Sequence, residues 1–180
     1  ARSDGFAPLS VEEVSAKSSV LVLLTPDEVQ PQVWHDAIRP HLGPGSLVGF
    51  ATGFNVHFGL IEAPPGIGFF LVAPKGPGAI LRKRFEEGRG IPALVAALEG
   101  NQEALAVAEA YAKAIGCARA GVIETTFREE AIADLFGEQC VLSGGLIELM
   151  RAAFDALVSR GYKPEVAYIE CILEVEYMAS

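Results

Sequence analysis

Four carboxylates stand in two pairs near the end of the chain. Asp134 and Glu138 are four residues apart, as are Glu170 and Glu174, so on helices each pair projects from one face. Like charges at that spacing repel, and such a pair is ordinarily a solvated acidic face. The neighbours argue otherwise. Glu170 and Glu174 lie among Tyr168, Ile169, Ile172, Leu173 and Val175, and Asp134 and Glu138 flank Leu135 and Phe136, which predicts two largely buried helices. Buried carboxylates need a counter-charge. The only basic residue near the second pair is Lys163, at the start of its helix, so a divalent cation is the natural partner. Hard oxygen donors favour Mg²⁺ or Mn²⁺ over zinc, and two pairs suit two ions.

A second constellation, Ala73-Pro74-Lys75-Gly76-Pro77-Gly78, places a lysine in a rigid turn just after an apolar run. If that run is a strand of an open α/β sheet, Lys75 lies at the edge where ligands bind. Leu24-Thr25-Pro26-Asp27-Glu28-Val29-Gln30 follows another such run, and its backbone amides and Gln30 suit a cofactor. Neither a G-x-G-x-x-G fingerprint nor a P-loop is present. His35, His41 and His57 have no metal-ligand spacing and no nucleophile set beside them by a motif. His57, within Gly53-Phe54-Asn55-Val56-His57-Phe58, reads as a packed structural histidine.

The elements that must position these residues follow from the apolar runs. Val20 to Leu24, Leu47 to Ala51, Phe69 to Ala73, Leu94 to Leu98 and Val122 to Thr126 are short, apolar on both faces and punctuated by Pro and Gly. They predict a parallel sheet covered by helices. Between them Pro31 to Ile38 reads as a short helix with Val33, Trp34 and Ile38 inward, and a longer helix is capped by Asn101 and closed by Gly116. After Phe127 the strand signals stop and three helical patterns follow: about Arg128 to Leu142, Leu146 to Leu157 ending at Gly161, and Pro164 to Glu174. That shift divides the chain into an α/β part, 1–127, and an all-α part, 128–180.

The 180 residues suffice for a sizeable core. Although 51% are hydrophobic, no uninterrupted apolar run reaches the roughly 18 residues of a membrane helix. A net charge of −9 argues against a nucleic-acid or basic membrane-surface role. Cys117, Cys140 and Cys171 form no C-x-x-C and predict reduced thiols in the cytoplasm.

Leu24-Thr25-Pro26-Asp27-Glu28, Gly53-Phe54-Asn55-Val56-His57-Phe58, Ala73-Pro74-Lys75-Gly76-Pro77-Gly78, Ala120-Gly121-Val122-Ile123-Glu124-Thr125-Thr126-Phe127, Asp134-Leu135-Phe136-Gly137-Glu138-Gln139 and Tyr168-Ile169-Glu170-Cys171 together resemble the ketol-acid reductoisomerases, or acetohydroxy acid isomeroreductases, in their short-chain form. Their order and spacing match almost throughout the chain. The resemblance implies a partial Rossmann-like sheet followed by a knotted-domain-like helical region. It implies Mg²⁺-dependent alkyl migration of a 2-acetohydroxy acid and NADPH reduction to a 2,3-dihydroxy acid, in branched-chain amino-acid biosynthesis. By similarity, Asp134 and Glu138 with Glu170 and Glu174 hold two Mg²⁺ ions, Lys75 sits by metals and substrate, and Asp27, Glu28, Val29, Gln30 and Gly78 contact the cofactor. Where the family has Ala-His-Gly-Phe, this chain has Ala51-Thr52-Gly53-Phe54, which puts Thr52 at a catalytic histidine's position. A hydroxyl there does not titrate near neutral pH. The resemblance also places Ala1 after the family's glycine-rich loop, and Ser180 before its substrate-binding serine and remaining helices.

Two other classes stay open on the residues alone. One is a non-enzymatic metal-binding, dimerising protein, and the other a generic α/β ligand-binding domain with solvated acids. Three helices with apolar stripes, the last ending at Met178-Ala179-Ser180, leave more apolar area than they cover, which predicts a homodimer through residues after about Arg128. Leu146, Met150, Phe154 and Leu157 are the expected contributors.

Overall fold

A computed structural model describes residues 2–178; Ala1, Ala179 and Ser180, the last two belonging to the expected Met178-Ala179-Ser180 end, lie outside the described residues. The chain forms two compact units, Ala1–Ile132 and Ala133–Ser180.

The first unit begins with α1 (Val11–Lys17), whose Ser10 and Glu13 form a reciprocal capping box. There follow β1 (Val20–Leu23), α2 (Gln30–Val33) with a π turn over Trp34–Ile38, β2 (Leu47–Phe50), α3 (Phe54–His57), β3 (Gly68–Pro74), α4 (Gly78–Glu86), β4 (Ala93–Ala97), α5 (Gln102–Ala114) and β5 (Val122–Glu124). The five strands lie in sequence order in one sheet. β3 is buried on both faces: Phe69, Leu71 and Ala73 join Leu21, Leu23, Trp34, Ile38, Val48, Phe50 and Phe127 on one side, and Phe70 and Val72 join Val95, Ala104, Ala108 and Ala112 on the other. Each large side chain so buried contributes about 1.5–3 kcal/mol. The small residues Ala104, Ala108 and Ala112 recur every four positions, which lets α5 lie close against the sheet. Asn101 caps α5 by accepting the Ala104 N–H at 3.0 Å.

Sheet direction departs from the all-parallel expectation at one place. β1–β2, β2–β3 and β4–β5 are parallel, but β3 and β4 are antiparallel. A crossover helix between parallel strands must bury an apolar face on the sheet. α4, with Arg82, Lys83 and Arg84 at its centre, has no buried residue. The chain instead leaves and returns at the same edge, where the Lys75 N–H donates to the Pro92 carbonyl at 2.9 Å. Reversed β4 and β5 then deliver α6 (Phe127–Phe136) so that its first residue packs in the core, the Phe127 ring 6.1 Å from that of Phe50.

The second unit takes in the end of α6, a π turn over Gly137–Leu142, α7 (Gly145–Ser159), α8 (Pro164–Tyr168), a π turn over Ile169–Leu173 and α9 (Glu174–Met178). The three expected helical patterns are present, the first and third interrupted by π turns. The expectation that the acid-bearing helices are largely buried is corrected: Glu138, Glu170 and Glu174 are exposed and Asp134 half-buried. Their apolar neighbours do not form a closed core, since Phe136 is 66%, Ile169 52% and Leu149 67% exposed. Of the expected contact residues, Leu146 is exposed and Met150, Phe154 and Leu157 are half-buried. Among the described residues no helix is long and apolar enough to cross a membrane.

Candidate functional site

β1, β2 and β3 end at one edge of the sheet, and each is followed by one of the segments singled out above. The segment after β1 is stitched in place by side chains. Gln30, buried, donates from Nε2 to the Thr25 carbonyl at 2.8 Å and accepts from Asn55 Nδ2 at 3.0 Å. Asn55 Nδ2 also donates to the Asp27 carbonyl at 2.9 Å. Gln30 therefore holds its own loop to α3, a structural task for a residue expected at the cofactor. Glu28 and Val29 are exposed at the same edge.

After β2, the Thr52 hydroxyl donates to both oxygens of Asp27, at 3.2 and 3.3 Å. Those lengths are at the long end for an O–H donor, so the bond orients more than it binds. The next residue, Gly53, donates its N–H to Glu130 Oε2 at 2.6 Å. A Cβ at Gly53 would meet the Phe127 carbonyl at 2.3 Å and Glu130 Oε2 at 3.0 Å, so only glycine allows this approach. After β3, Lys75 Nζ donates to the other oxygen, Glu130 Oε1, at 2.6 Å. Glu130's side chain is fully buried and that of Lys75 one-third exposed. The carboxylate thus has an ammonium and a backbone donor, and the ammonium keeps a solvent-facing side that can meet a ligand.

Glu130 was missed by sequence reasoning. The signal was present: Phe127, Glu130 and Ala131 share the i, i+3, i+4 stripe of α6, and an acid on a buried stripe must have a partner.

The four acids of the second unit are not gathered. Among the described residues no three His, Cys, Asp or Glu side chains form a group that could hold a metal ion. The oxygen donor type of each pair fits Mg²⁺ or Mn²⁺, but one chain presents the pairs as separate two-carboxylate halves. For a nicotinamide cofactor the fit is of another kind. A Cβ on Gly78, the first residue of α4, would meet nothing within 4 Å, so a ligand has open access to the backbone there. Gly78 also lines a hollow of about 280 Å³ with Leu81, Arg82, Phe85, Ala114 and Ile115. Buried Asn55 Oδ1 has no hydrogen-bond partner among the described residues, an acceptor suited to a donor group. A larger hollow of about 790 Å³, lined by Glu62, Gly68, Glu99 and Asn101 among others, contains none of the residues expected in the site.

Elsewhere, burial pushes the Tyr111 hydroxyl and the Cys117 thiol above their ordinary pKa values. The His57 ring lies 4.7 Å from that of Phe58.

Residues 1–121 match the family model of the acetohydroxy acid isomeroreductase NADPH-binding domain, and residues 127–180 that of the ketol-acid reductoisomerase C-terminal domain. Among solved structures, an NADH-preferring ketol-acid reductoisomerase from an uncultured archean is 45% identical, with a TM-score of 0.91 over 99% of this chain and 54% of that one. The chain thus spans about half the length of that relative. A putative oxidoreductase from Jannaschia sp. CCS1 is similar at 19% identity and a TM-score of 0.74, covering 99% of this chain and 68% of that one. A semialdehyde dehydrogenase NAD-binding protein from Cupriavidus necator follows at 22% and 0.70, covering 97% and 66%. The last two likenesses are of fold alone.

Proposed function

Because the chain belongs to the ketol-acid reductoisomerase family, we propose that it acts in the metal-dependent alkyl migration of a 2-acetohydroxy acid and the NADPH-dependent reduction that yields a 2,3-dihydroxy acid. The observation that carries the reading beyond family membership is the Lys75–Glu130–Gly53 arrangement at the ligand-binding edge of the sheet. A fully buried carboxylate holds a partly exposed ammonium at a fixed place, which is what a residue must have to hydrogen-bond a substrate oxygen and pass a proton to it. When bound, Mg²⁺ supplies Lewis-acid polarisation of the substrate oxygens and the nicotinamide supplies hydride.

The residues that would hold these groups follow from the chain's chemistry. Asp134 with Glu138, and Glu170 with Glu174, supply carboxylate oxygens to the cations. Since one chain offers the pairs as separate halves, a second copy completes each set, in keeping with the exposed apolar residues of α6, α7 and the turn between them. Gly78, Asp27, Glu28 and Val29 border the cofactor, with Gln30 and Asn55 fixing the loop beneath it. Lys75 binds and protonates substrate oxygen, Glu130 holds Lys75 in place, and Thr52 orients Asp27 without titrating. The three free thiols accord with a cytoplasmic location.

The test is NADPH oxidation by the purified chain with 2-acetolactate, with and without Mg²⁺. Turnover that needs both acetolactate and Mg²⁺ supports the reading, and its absence at any Mg²⁺ concentration overturns it for this chain. Thr52 in place of an imidazole favours a second reading, a metal-binding, dimerising protein without turnover. That reading predicts Mg²⁺ binding with no NADPH consumption.

A further inference from the structure

At the end of β3 away from Lys75 lies the larger hollow, of about 790 Å³, which shares no residue with the site described above. We propose that it is a second binding site, for a free α-amino acid with an apolar side chain.

Backbone hydrogen bonds fix the shape of one wall. The segment between α3 and β3 turns at Pro64-Pro65-Gly66, with the Ile67 N–H on the Pro64 carbonyl at 3.1 Å. It is tied down where the Gly45 N–H donates to the Gly66 carbonyl at 2.8 Å and the Gly68 N–H to that of Ser46 at 3.0 Å. Leu60 and Ile61 both donate to the Asn55 carbonyl, at 2.9 and 3.0 Å. The wall therefore stands before any ligand arrives, and the volume falls within the range of small-molecule sites, about 300–1,000 Å³.

Three kinds of group face the space. Val56, Ile61, Ile67, Phe69 and Leu98 make it apolar, Ile61 and Phe69 being 1% exposed. Glu62 and Glu99 add carboxylates, and among the described residues neither forms an ion pair. Their charge disfavours phosphates and nucleotides and favours an ammonium. Asn101 adds a donor whose direction is settled. Its Oδ1 is engaged in capping α5, accepting the Ala104 N–H at 3.0 Å, so Nδ2 is the atom left for a ligand. A Cβ on Gly68, which also lines the hollow, would meet that Nδ2 at 2.9 Å and Leu47 Cδ2 at 2.6 Å, so glycine keeps the place beside the amide clear. Glu99 and Asn101 belong to one tight turn between β4 and α5, in which Glu99 and Gly100 are both left-handed, at φ 54° and 69°. A carboxylate and an amide donor two residues apart in such a turn suit a ligand that carries an ammonium and a carboxylate on one carbon. The apolar walls suit that carbon's side chain. A simple amine leaves the Asn101 donor without an acceptor, and a simple carboxylic acid faces two glutamates with no charge to offset them.

The test is isothermal titration calorimetry of the native chain with L-leucine, with L-leucinamide, which lacks the carboxylate, and with 4-methylpentanoate, which lacks the ammonium. Glu99→Gln removes one carboxylate from the hollow. Asn101→Asp keeps the oxygen that caps α5 and replaces the donor by an acceptor. Circular dichroism checks that each variant folds, and amide shifts in the nuclear magnetic resonance spectrum of the native chain locate the ligand without any variant. The expected result is saturable leucine binding, weaker by about tenfold or more for either analogue and in either folded variant, the loss that goes with a charge-assisted hydrogen bond. The shifts should gather at Gly59, Gly66, Gly68 and Asn101. No saturation by about 10 mM leucine, which would register even a millimolar Kd, overturns the proposal. So does equal affinity for either analogue, or unchanged affinity in either folded variant. Shifts gathered at residues 25–30, 52–53 and 75–78 would put leucine in the site at the other end of the sheet, and overturn it too.

Discussion

Lys75 and Glu130 are 55 residues apart in the chain and 2.6 Å apart in the fold, and the two ends of this ion pair are unequal: the acid is fully buried and the base one-third exposed. The inequality predicts which partner matters more for stability. Lys75→Met strands a buried carboxylate with only the Gly53 N–H, and the expected loss is about 3–5 kcal/mol. Glu130→Gln removes the buried charge and leaves Lys75 at its one-third-exposed place, and about 1–3 kcal/mol is expected. Urea denaturation of the two variants checks the order. Equal losses, or a larger one for Glu130→Gln, would show that the pair is not asymmetrically buried in solution.

Thr52 orients Asp27 through long hydrogen bonds, so Thr52→Val should cost less than about 1 kcal/mol of stability. Its chemical consequence is larger. A hydroxyl contributes no titration near neutrality, and the pH dependence of kcat/KM should carry no inflection from this position. Thr52→His should add one near pH ~6.5. Identical profiles for the two proteins would remove residue 52 from the reacting centre.

Mg²⁺ should stabilise the fold, by about 2.7 kcal/mol at a free concentration 100-fold above Kd. Since the acids of one chain do not converge, the shift in Tm should grow with protein concentration, and Asp134→Asn should abolish it. Light scattering on the same samples should show a dimer or larger species. A concentration-independent shift would mean that a single chain completes the site.

Stability should fall on the alkaline side. Burial raises the Cys117 thiol and the Tyr111 hydroxyl, so the folded chain retains protons that the unfolded chain has begun to lose. Their contribution is complete below the unfolded pKa values and is lost as pH rises through the folded ones, from about pH 9 upward. Cys117→Ala lowers stability at neutral pH by loss of packing but should flatten this decline. An unchanged slope would show that the thiol does not contribute.

The strands were legible because Pro and Gly bracket each apolar run closely, and all five lie within a residue or two of where those brackets put them. Strand direction was not, since a strand buried on both faces reads the same either way. What distinguishes β4 is the polar α4 before it, Arg82, Lys83 and Arg84 being unfit to cover a sheet. The edge positions of Lys75, Thr52 and Asp27 were legible from their places after strands, while Glu130 was hidden among the acids at the start of α6. The burial of the four acids was misjudged for a physical reason: Leu135, Phe136, Ile169 and Ile172 mark an apolar helix, but apolar residues are buried only when something covers them, and sequence does not say what that is.

The reversal of β4 also bears on the order in which the molecule assembles. Parallel neighbours wait for a crossover before their first hydrogen bond, whereas β3 and β4 can zip from the Lys75–Pro92 end as soon as the short α4 segment closes. With α5 packed against both strands, residues 68–114 form the region expected to nucleate the first unit and to exchange its amide hydrogens most slowly. The lysine is then in place from the earliest stage, while its carboxylate arrives only after β5 has docked and α6 has wound back across the sheet. During synthesis the lysine is thus in place before the carboxylate that the ribosome has yet to deliver.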